Sequence, residues 1–298
     1  MGVEGNGSRD WQEFPIYVPY GEEHLSAVIT VPRTEIRGLV LLMSGYGAPR
    51  SHRFQMWARA ARRLAQEQRL ASIRFDYVGF GDATGLVLQW GWGEDISAAK
   101  QAETVARAGM ELVGVDRYMA VANCTGGASA VRLAADMSEC IGAVSLLMPV
   151  LIPPTKGVKA RLRKSRLANF VRYNRFLRER IGRRLMKMIR RSDTEVAYRL
   201  ARSALGHSKL LFVYGEHDWL YNEKVEATFE RTLQRLPEDY RTRFELKVFP
   251  GIRLLEFESV PIQEMTIETV LGWAGVCFPP SPSVPAQQEA RTEVRIPK

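Results

Sequence analysis

Histidine is scarce in this chain, and so are cysteine and long apolar runs. The four histidines are His24, His52, His207 and His217, and none follows position 217. The three cysteines, Cys124, Cys140 and Cys277, give neither a disulfide framework nor the paired spacing of a metal site. No stretch of about 18 apolar residues occurs, which argues against a membrane-spanning helix. The first residues, Met1 to Asn6, are polar and lack the apolar core of a signal peptide. These features together point to a cytoplasmic protein. Phosphate-cradling motifs are missing as well. Gly126-Gly127 has no Lys-Ser/Thr after it, and no G-x-G-x-x-G follows the first strand-like run. No cofactor and no metal is expected, and no internal repeat is visible.

Strands and helices alternate along most of the chain. Gly38 to Gly45 is an apolar run ending in small residues, the pattern of a fully buried strand. A polar loop, Tyr46 to Arg53, and an amphipathic helix, Phe54 to Gln68, follow it. Further strands are read at Ala71–Tyr77, Tyr118–Val121, Ile141–Val150, Lys209–Gly215 and Phe244–Phe249. Helices are read from about Glu94 to Met110, Ala128 to Met137, about Glu223 to Leu236, and Ile262 to Ala274. This order predicts parallel βαβ units with helices on both faces of the sheet. Ile16–Tyr20 and Leu25–Val31 read as an antiparallel hairpin at its edge.

The segment Val121-Ala122-Asn123-Cys124-Thr125-Gly126-Gly127 joins a strand to a helix through a sharp turn. A small residue lies two before Cys124 and a glycine two after. This is the small-x-nucleophile-x-small layout of a nucleophile elbow, with sulfur in place of the usual Ser oxygen. Bulky neighbours would not fit so tight a turn. The partial positive charge of the helix N-terminus favours a thiolate there. The bland alternative is a buried, inert Cys before a Gly-rich turn.

Taken with Leu42-Met43-Ser44-Gly45-Tyr46-Gly47, Arg74-Phe75-Asp76-Tyr77-x-Gly79-x-Gly81-Asp82-x-x-Gly85 and Tyr214-Gly215-Glu216-His217-Asp218, the elbow makes the chain resemble the α/β-hydrolase family over roughly residues 12–277. Within it, the chain is similar to a branch with Asn-Cys-x-Gly at the elbow. That branch includes hydrolases associated with bacterial exopolysaccharide and sorting systems, and acyltransferases of natural-product pathways. The resemblance implies an α/β fold with an eight-stranded, mostly parallel sheet and a lid inserted after the sixth strand. It implies a triad in the order nucleophile, acid, His. Cys124 matches the first position and Asp218 the second. The oxyanion hole would be the backbone N–H groups of Thr125 and Tyr46, with the Tyr46 ring available to line the pocket. Asp76, Asp82, Gly79, Gly81 and Gly85 would order the turn after the fourth strand.

The chain departs from the family where His is due, at Gly251-Ile252-Arg253-Leu254-Leu255-Glu256. A Ser nucleophile would be nearly inert without that base. A Cys is partly ionised at neutral pH and can attack a thioester unaided. Releasing the acyl group still needs a base for the acceptor, and its loss costs on the order of 10²–10⁴ in rate. The candidates are His52, in the loop beside the oxyanion site; Glu256, where His is missing; and His217, whose side chain should point away from its neighbour Asp218. His52 is the favoured one.

Charge is concentrated. The net charge is +9, yet residues 154–191 hold fifteen Lys and Arg against Glu179 alone, so the remainder of the chain is acidic. Phe170, Tyr173, Leu177, Ile181, Leu185 and Met188 recur at helical spacing, with Arg172, Arg175, Arg183, Lys187 and Arg190 mostly off that stripe. The pattern predicts an amphipathic lid helix, apolar toward the pocket and cationic outward. Arg172, Arg175 and Arg183 would meet an acidic acyl carrier protein or CoA. A membrane surface is the next candidate, a solvated face with no partner is the bland one, and nucleic acid has no motif to support it.

The expected division is a flexible start at 1–11, core at 12–153, helical lid at 154–206, core at 207–277 and a disordered Pro-, Ser- and Gln-rich tail at 278–298. The activity expected is acyl transfer through Cys124, to a small-molecule acceptor or to water. Two other readings stay open: a non-catalytic member of the fold that binds a ligand or carrier protein, and a lyase or cyclase.

Overall fold

A computed structural model of the protein describes residues 10–45, 48–86, 97–124, 126–146, 198–218, 221, 230, 233–253 and 259–280. The elements run β1 (Trp11–Tyr20), β2 (Glu23–Pro32), β3 (Leu39–Met43), a single 3₁₀ turn (Arg53–Gln55), α1 (Met56–Gln68), β4 (Ala71–Phe75), α2 (Ser97–Val113), β5 (Tyr118–Asn123), α3 (Gly126–Asp136) and β6 (Cys140–Leu146). After these come β7 (Lys209–Gly215), α4 (Glu238–Arg241), β8 (Phe244–Phe249) and α5 (Val260–Cys277). One eight-stranded sheet results, ordered β1-β2-β4-β3-β5-β6-β7-β8. β1 and β2 pair antiparallel, β2 meets β4 antiparallel, and every other pair is parallel.

The near-continuous apolar runs are explained by burial on both faces, the usual condition of parallel strands. In β3, Leu39, Leu41 and Met43 face the core under α2 and α3, while Val40 and Leu42 face the core under α1 and α5. β5 divides in the same way, with Tyr118, Ala120 and Ala122 on one side and Met119 and Val121 on the other. Among the described residues no helix is long and apolar enough to cross a membrane.

The edge hairpin is longer than the sequence pattern suggests. β1 begins at Trp11, ahead of Glu13 and Pro15, two residues that read poorly as strand. An edge strand tolerates Pro because one side of its backbone needs no partner. Glu13 is kept by charge: it bonds Arg74 on β4 at 2.9 Å and Arg62 on α1 at 2.9 Å, and Arg74 also donates to Thr30. Arg62 in turn lies over the Trp11 ring at 5.2 Å. The basic segment 154–191 falls outside the described residues. So does most of the helix expected over Glu223–Leu236, of which Glu230 and Leu233 are described as helical.

This part-buried ion cluster yields a stability test. Burial works against the Glu13 carboxylate, but Arg62 and Arg74 outweigh it and hold the pKa below its ordinary value. The stabilisation is therefore complete above the unfolded carboxylate pKa, about 4.3, and is lost as pH falls through the lowered native value. Glu13→Gln should destabilise the fold by about 1 kcal/mol at neutral pH, because the part-buried Arg74 loses the charge that offsets its burial while solvent screens the rest. Urea unfolding at pH 7 and pH 3 checks this. The variant should fall below wild type at pH 7 and approach it at pH 3.

Candidate active site

Parallel strands deliver their following loops to one edge of the sheet, where α/β proteins build their sites. β5 delivers the elbow. The strand is buried along its whole length, and the chain then reverses at Cys124, whose φ is 51°. That left-handed conformation costs a non-glycine residue roughly 1–2 kcal/mol. The surroundings hold it in place. The Cys124 N–H donates to the Leu146 carbonyl at 3.0 Å, and the Cys124 carbonyl accepts from Gly127 N–H at 3.1 Å as α3 begins.

Close approach explains the small neighbours. A Cβ on Gly126 would stand 3.0 Å from the Ser44 carbonyl oxygen and 3.3 Å from Ala122 Cβ. One on Gly45 would stand 2.7 Å from Cys124 Cβ and 3.5 Å from its sulfur. The end of β3 thus lies directly against the thiol. Cys124 is half-buried, while Cys140 and Cys277 are buried. Burial pushes both of those thiols up to about 12, so they stay protonated.

His52 reaches the elbow through Asn123. Its ring is 3% exposed, and its Nε2 lies 2.9 Å from Asn123 Nδ2. Asn123 Oδ1 accepts from Gly45 N–H at 3.1 Å. The amide NH₂ must therefore face the imidazole, so Nε2 accepts and the ring proton sits on Nδ1. Burial pulls the His52 pKa down to about 4, against a partly offsetting hydrogen bond with the Arg53 backbone. An imidazole that stays neutral to that pH, with Nε2 already engaged, is a weak proton acceptor for chemistry at Cys124. The loop that carries it is strained. His52, Phe54 and Gln55 all have positive φ, and His52, at φ 58° and ψ 176°, lies in a region that glycine dominates.

The other three histidines lie on or beside other strands. His24 lies on β2, and His207 bonds the Met137 carbonyl before β7, at the opposite edge of the sheet. His217 is exposed while Asp218 is buried, so the two side chains face apart, as expected from the sequence.

Asp218 follows β7, two strands on from β5, or ~10 Å at ordinary strand spacing. Its N–H donates to Gly215, and its carbonyl accepts from Tyr221 N–H. Burial, reinforced by the Asp218 charge, pushes the Tyr214 hydroxyl well above its ordinary pKa. Tyr214 stacks on Tyr221 at 5.2 Å. The turn is tied to the end of β8: Glu216 N–H donates to Phe249, His217 N–H to Ile252, and Gly251 N–H to the Glu216 carboxylate. Where the family places its His, the described stretch Gly251 to Arg253 offers backbone contacts and the buried side chain of Ile252.

Asp76 and Asp82 do organise the turn after β4, and Arg50 joins them. Asp76 accepts from the Arg50 backbone at 2.7 Å, from the Arg50 guanidinium and from Asp82 N–H, and Arg50 also bonds Asp82 at 2.7 Å. Arg50 is the link that the sequence reading missed, because only the sheet order makes the β3 and β4 loops neighbours. Asn123 was missed too. Its signal was a carboxamide at the end of an otherwise apolar strand. Tyr46, Thr125, Glu256, Arg172, Arg175 and Arg183 lie outside the described residues. Among the described residues, no cluster of three His, Cys, Asp or Glu is placed to hold a metal ion.

Solved structures place this geometry among known folds. An esterase of Pyrococcus furiosus matches with a TM-score of 0.56 and 14% identity over 93% of this chain and 96% of its own. A thermostable carboxyl esterase of Bacillus coagulans, solved with glycerol, gives 0.61 and 15% over 90% and 99%. A monoglyceride lipase of Saccharomyces cerevisiae gives 0.56 and 14% over 88% and 95%. The chain has the α/β-hydrolase fold. At these identities the likeness speaks to the fold alone. No protein-family model matches the chain, and no curated protein matches it.

Exposure separates the three cysteines experimentally. Native protein treated with iodoacetamide at pH 7.5 should gain one alkyl group by intact mass, and unfolded protein three. Native Cys124→Ala should gain none. Two or more additions to the native wild type would show that Cys140 or Cys277 is accessible.

Proposed function

We propose that this α/β-hydrolase-fold protein is an acyl-transfer enzyme with Cys124 as its nucleophile. The observation that carries the proposal is the left-handed, half-exposed Cys124 between β5 and α3, with the end of β3 packed against it. The thiolate attacks the carbonyl carbon of a thioester or activated ester. The bond from the acyl carbon to the donor's sulfur or oxygen breaks, the donor leaves as a thiolate or an oxyanion, and the acyl group remains on Cys124. Nothing is oxidised or reduced. Backbone N–H groups of Thr125 and Tyr46 hold the oxyanion in between.

In the second half-reaction an alcohol, an amine or water attacks the acyl-enzyme, loses its proton and restores the thiolate. His52 suits this step poorly, since its lone pair is committed to Asn123. The buried Asp218 carboxylate is the group we assign to receive the proton, through water across the gap between β5 and β7. A carboxylate is a weaker base than imidazole, so the acyl-enzyme should be slow to clear and should accumulate.

The basic segment 154–191 gives the donor its class. A carrier protein or CoA presents its thioester together with negative charge, and fifteen Lys and Arg following β6 match that need. Reversing Arg172, Arg175 and Arg183 to Glu should weaken binding of an acidic acyl carrier protein at least tenfold at low salt, with the effect fading as salt rises. Titration by fluorescence anisotropy reads this, and unchanged affinity would remove the docking role.

Intact mass after incubation with a panel of acyl thioesters tests the chemistry. Wild type should gain the mass of one acyl group, and Cys124→Ala none. If neither adduct nor turnover is seen, the protein is better read as a binding member of the fold. Turnover that survives Cys124→Ala would indicate a lyase or cyclase.

A further inference from the structure

Asn123 ends a strand that is otherwise apolar, and its carboxamide is 1% exposed. A buried amide left unsatisfied costs about 1–3 kcal/mol, yet here both ends are bonded to different parts of the chain. Oδ1 accepts a hydrogen bond from the Gly45 N–H at the end of β3, and Nδ2 donates one to His52 Nε2 in the loop before α1. The reverse orientation would set the NH₂ against the Gly45 N–H, donor against donor. A protonated His52 would likewise set N–H against N–H. The neutral ring, the amide orientation and the Gly45 bond therefore require one another.

A second, independent feature points the same way. His52 adopts a backbone conformation that costs on the order of 1–3 kcal/mol for a residue with a side chain, and two further strained residues follow within three positions. Strain of this kind persists only where contacts over-determine it. The ring's contacts include Asn123 and the buried Trp57 ring, 6.2 Å away between centroids.

We propose that Asn123 is a positioning residue, whose carboxamide, locked by His52, holds Gly45 at the end of β3 at a fixed distance from Cys124 and so fixes the space in which a tetrahedral oxyanion on that sulfur must form. The inference rests on the acyl-transfer reading above. It assigns to His52 the role of orienting Asn123 in place of proton transfer. The clamp acts on the tetrahedral oxyanion and leaves the intrinsic reactivity of the thiol alone.

Two reactions of the same sulfur separate these effects. Alkylation by iodoacetamide forms no oxyanion, whereas acylation by a thioester does. Asn123→Ala and His52→Leu should each slow thioester acylation on the order of 10²-fold, as a misaimed site does, while alkylation changes little. His52→Gln, which keeps an acceptor for Asn123 Nδ2, should recover most of the acylation rate. In ¹⁵N-histidine spectra, wild-type His52 should carry its proton on Nδ1. Asn123→Asp should move that proton to Nε2, because a carboxylate needs a donor.

Acylation unaffected in folded Asn123→Ala overturns the clamp. So does a matching loss of acylation and alkylation, which would mark collapse of the elbow. If wild type forms no acyl adduct, the acyl-transfer reading fails first. The clamp is then judged on the tautomer, and an Nε2-protonated His52 in wild type overturns it.

Discussion

One residue, Cys124, must hold a left-handed backbone between a buried strand and a helix, and the surrounding arrangement follows from that constraint. It forces small residues at 122 and 126, and it brings the end of β3 so near that position 45 has no room for a side chain. It leaves Cys124 half-buried in a chain whose other two cysteines lie in the core. A turn this costly needs rigid neighbours. The parallel sheet supplies them, with β3, β5 and β6 each contributing a hydrogen bond or a contact at the elbow.

Much of the fold was legible because both signals it uses are local. Apolar runs bounded by glycines mark the buried strands, and helical periodicity marks α1 and α5. The hairpin edge was read short at Pro15 and Glu13, because a charge that is neutralised across three elements looks like a loop from inside one of them. Of the site, the elbow was legible: its small-residue spacing is written in consecutive positions. The Asn123–His52–Gly45 link was not, since its members lie 71 and 78 positions apart and meet only once β3 and β5 are paired. The same holds for Arg50 with Asp76 and Asp82, joined by the β3–β4 pairing.

Under the proposal above, His52 orients an amide where residue type alone suggests a base. A histidine in the loop beside an elbow reads as a base. Enclosed, neutral to about pH 4 and bonded at Nε2, it is better suited to hold an amide still than to carry protons. The departure from the family pattern after β8 then becomes chemically consistent. A thiolate needs no partner to attack a thioester, so under the proposed acyl transfer the step without an imidazole would be the discharge of the acyl group. On that proposal the site would favour acceptors that are good nucleophiles, or acceptors bound close to Asp218, over bulk water.

The central claim is that Cys124 takes the acyl group before any acceptor does. Rapid mixing with an excess of acyl thioester, reading the free thiol released, tests it most directly. The account predicts a burst of one thiol per protein chain followed by a slower steady rate, with the burst abolished in Cys124→Ala. Linear release from the first turnover, at equal rates in wild type and Cys124→Ala, would contradict it.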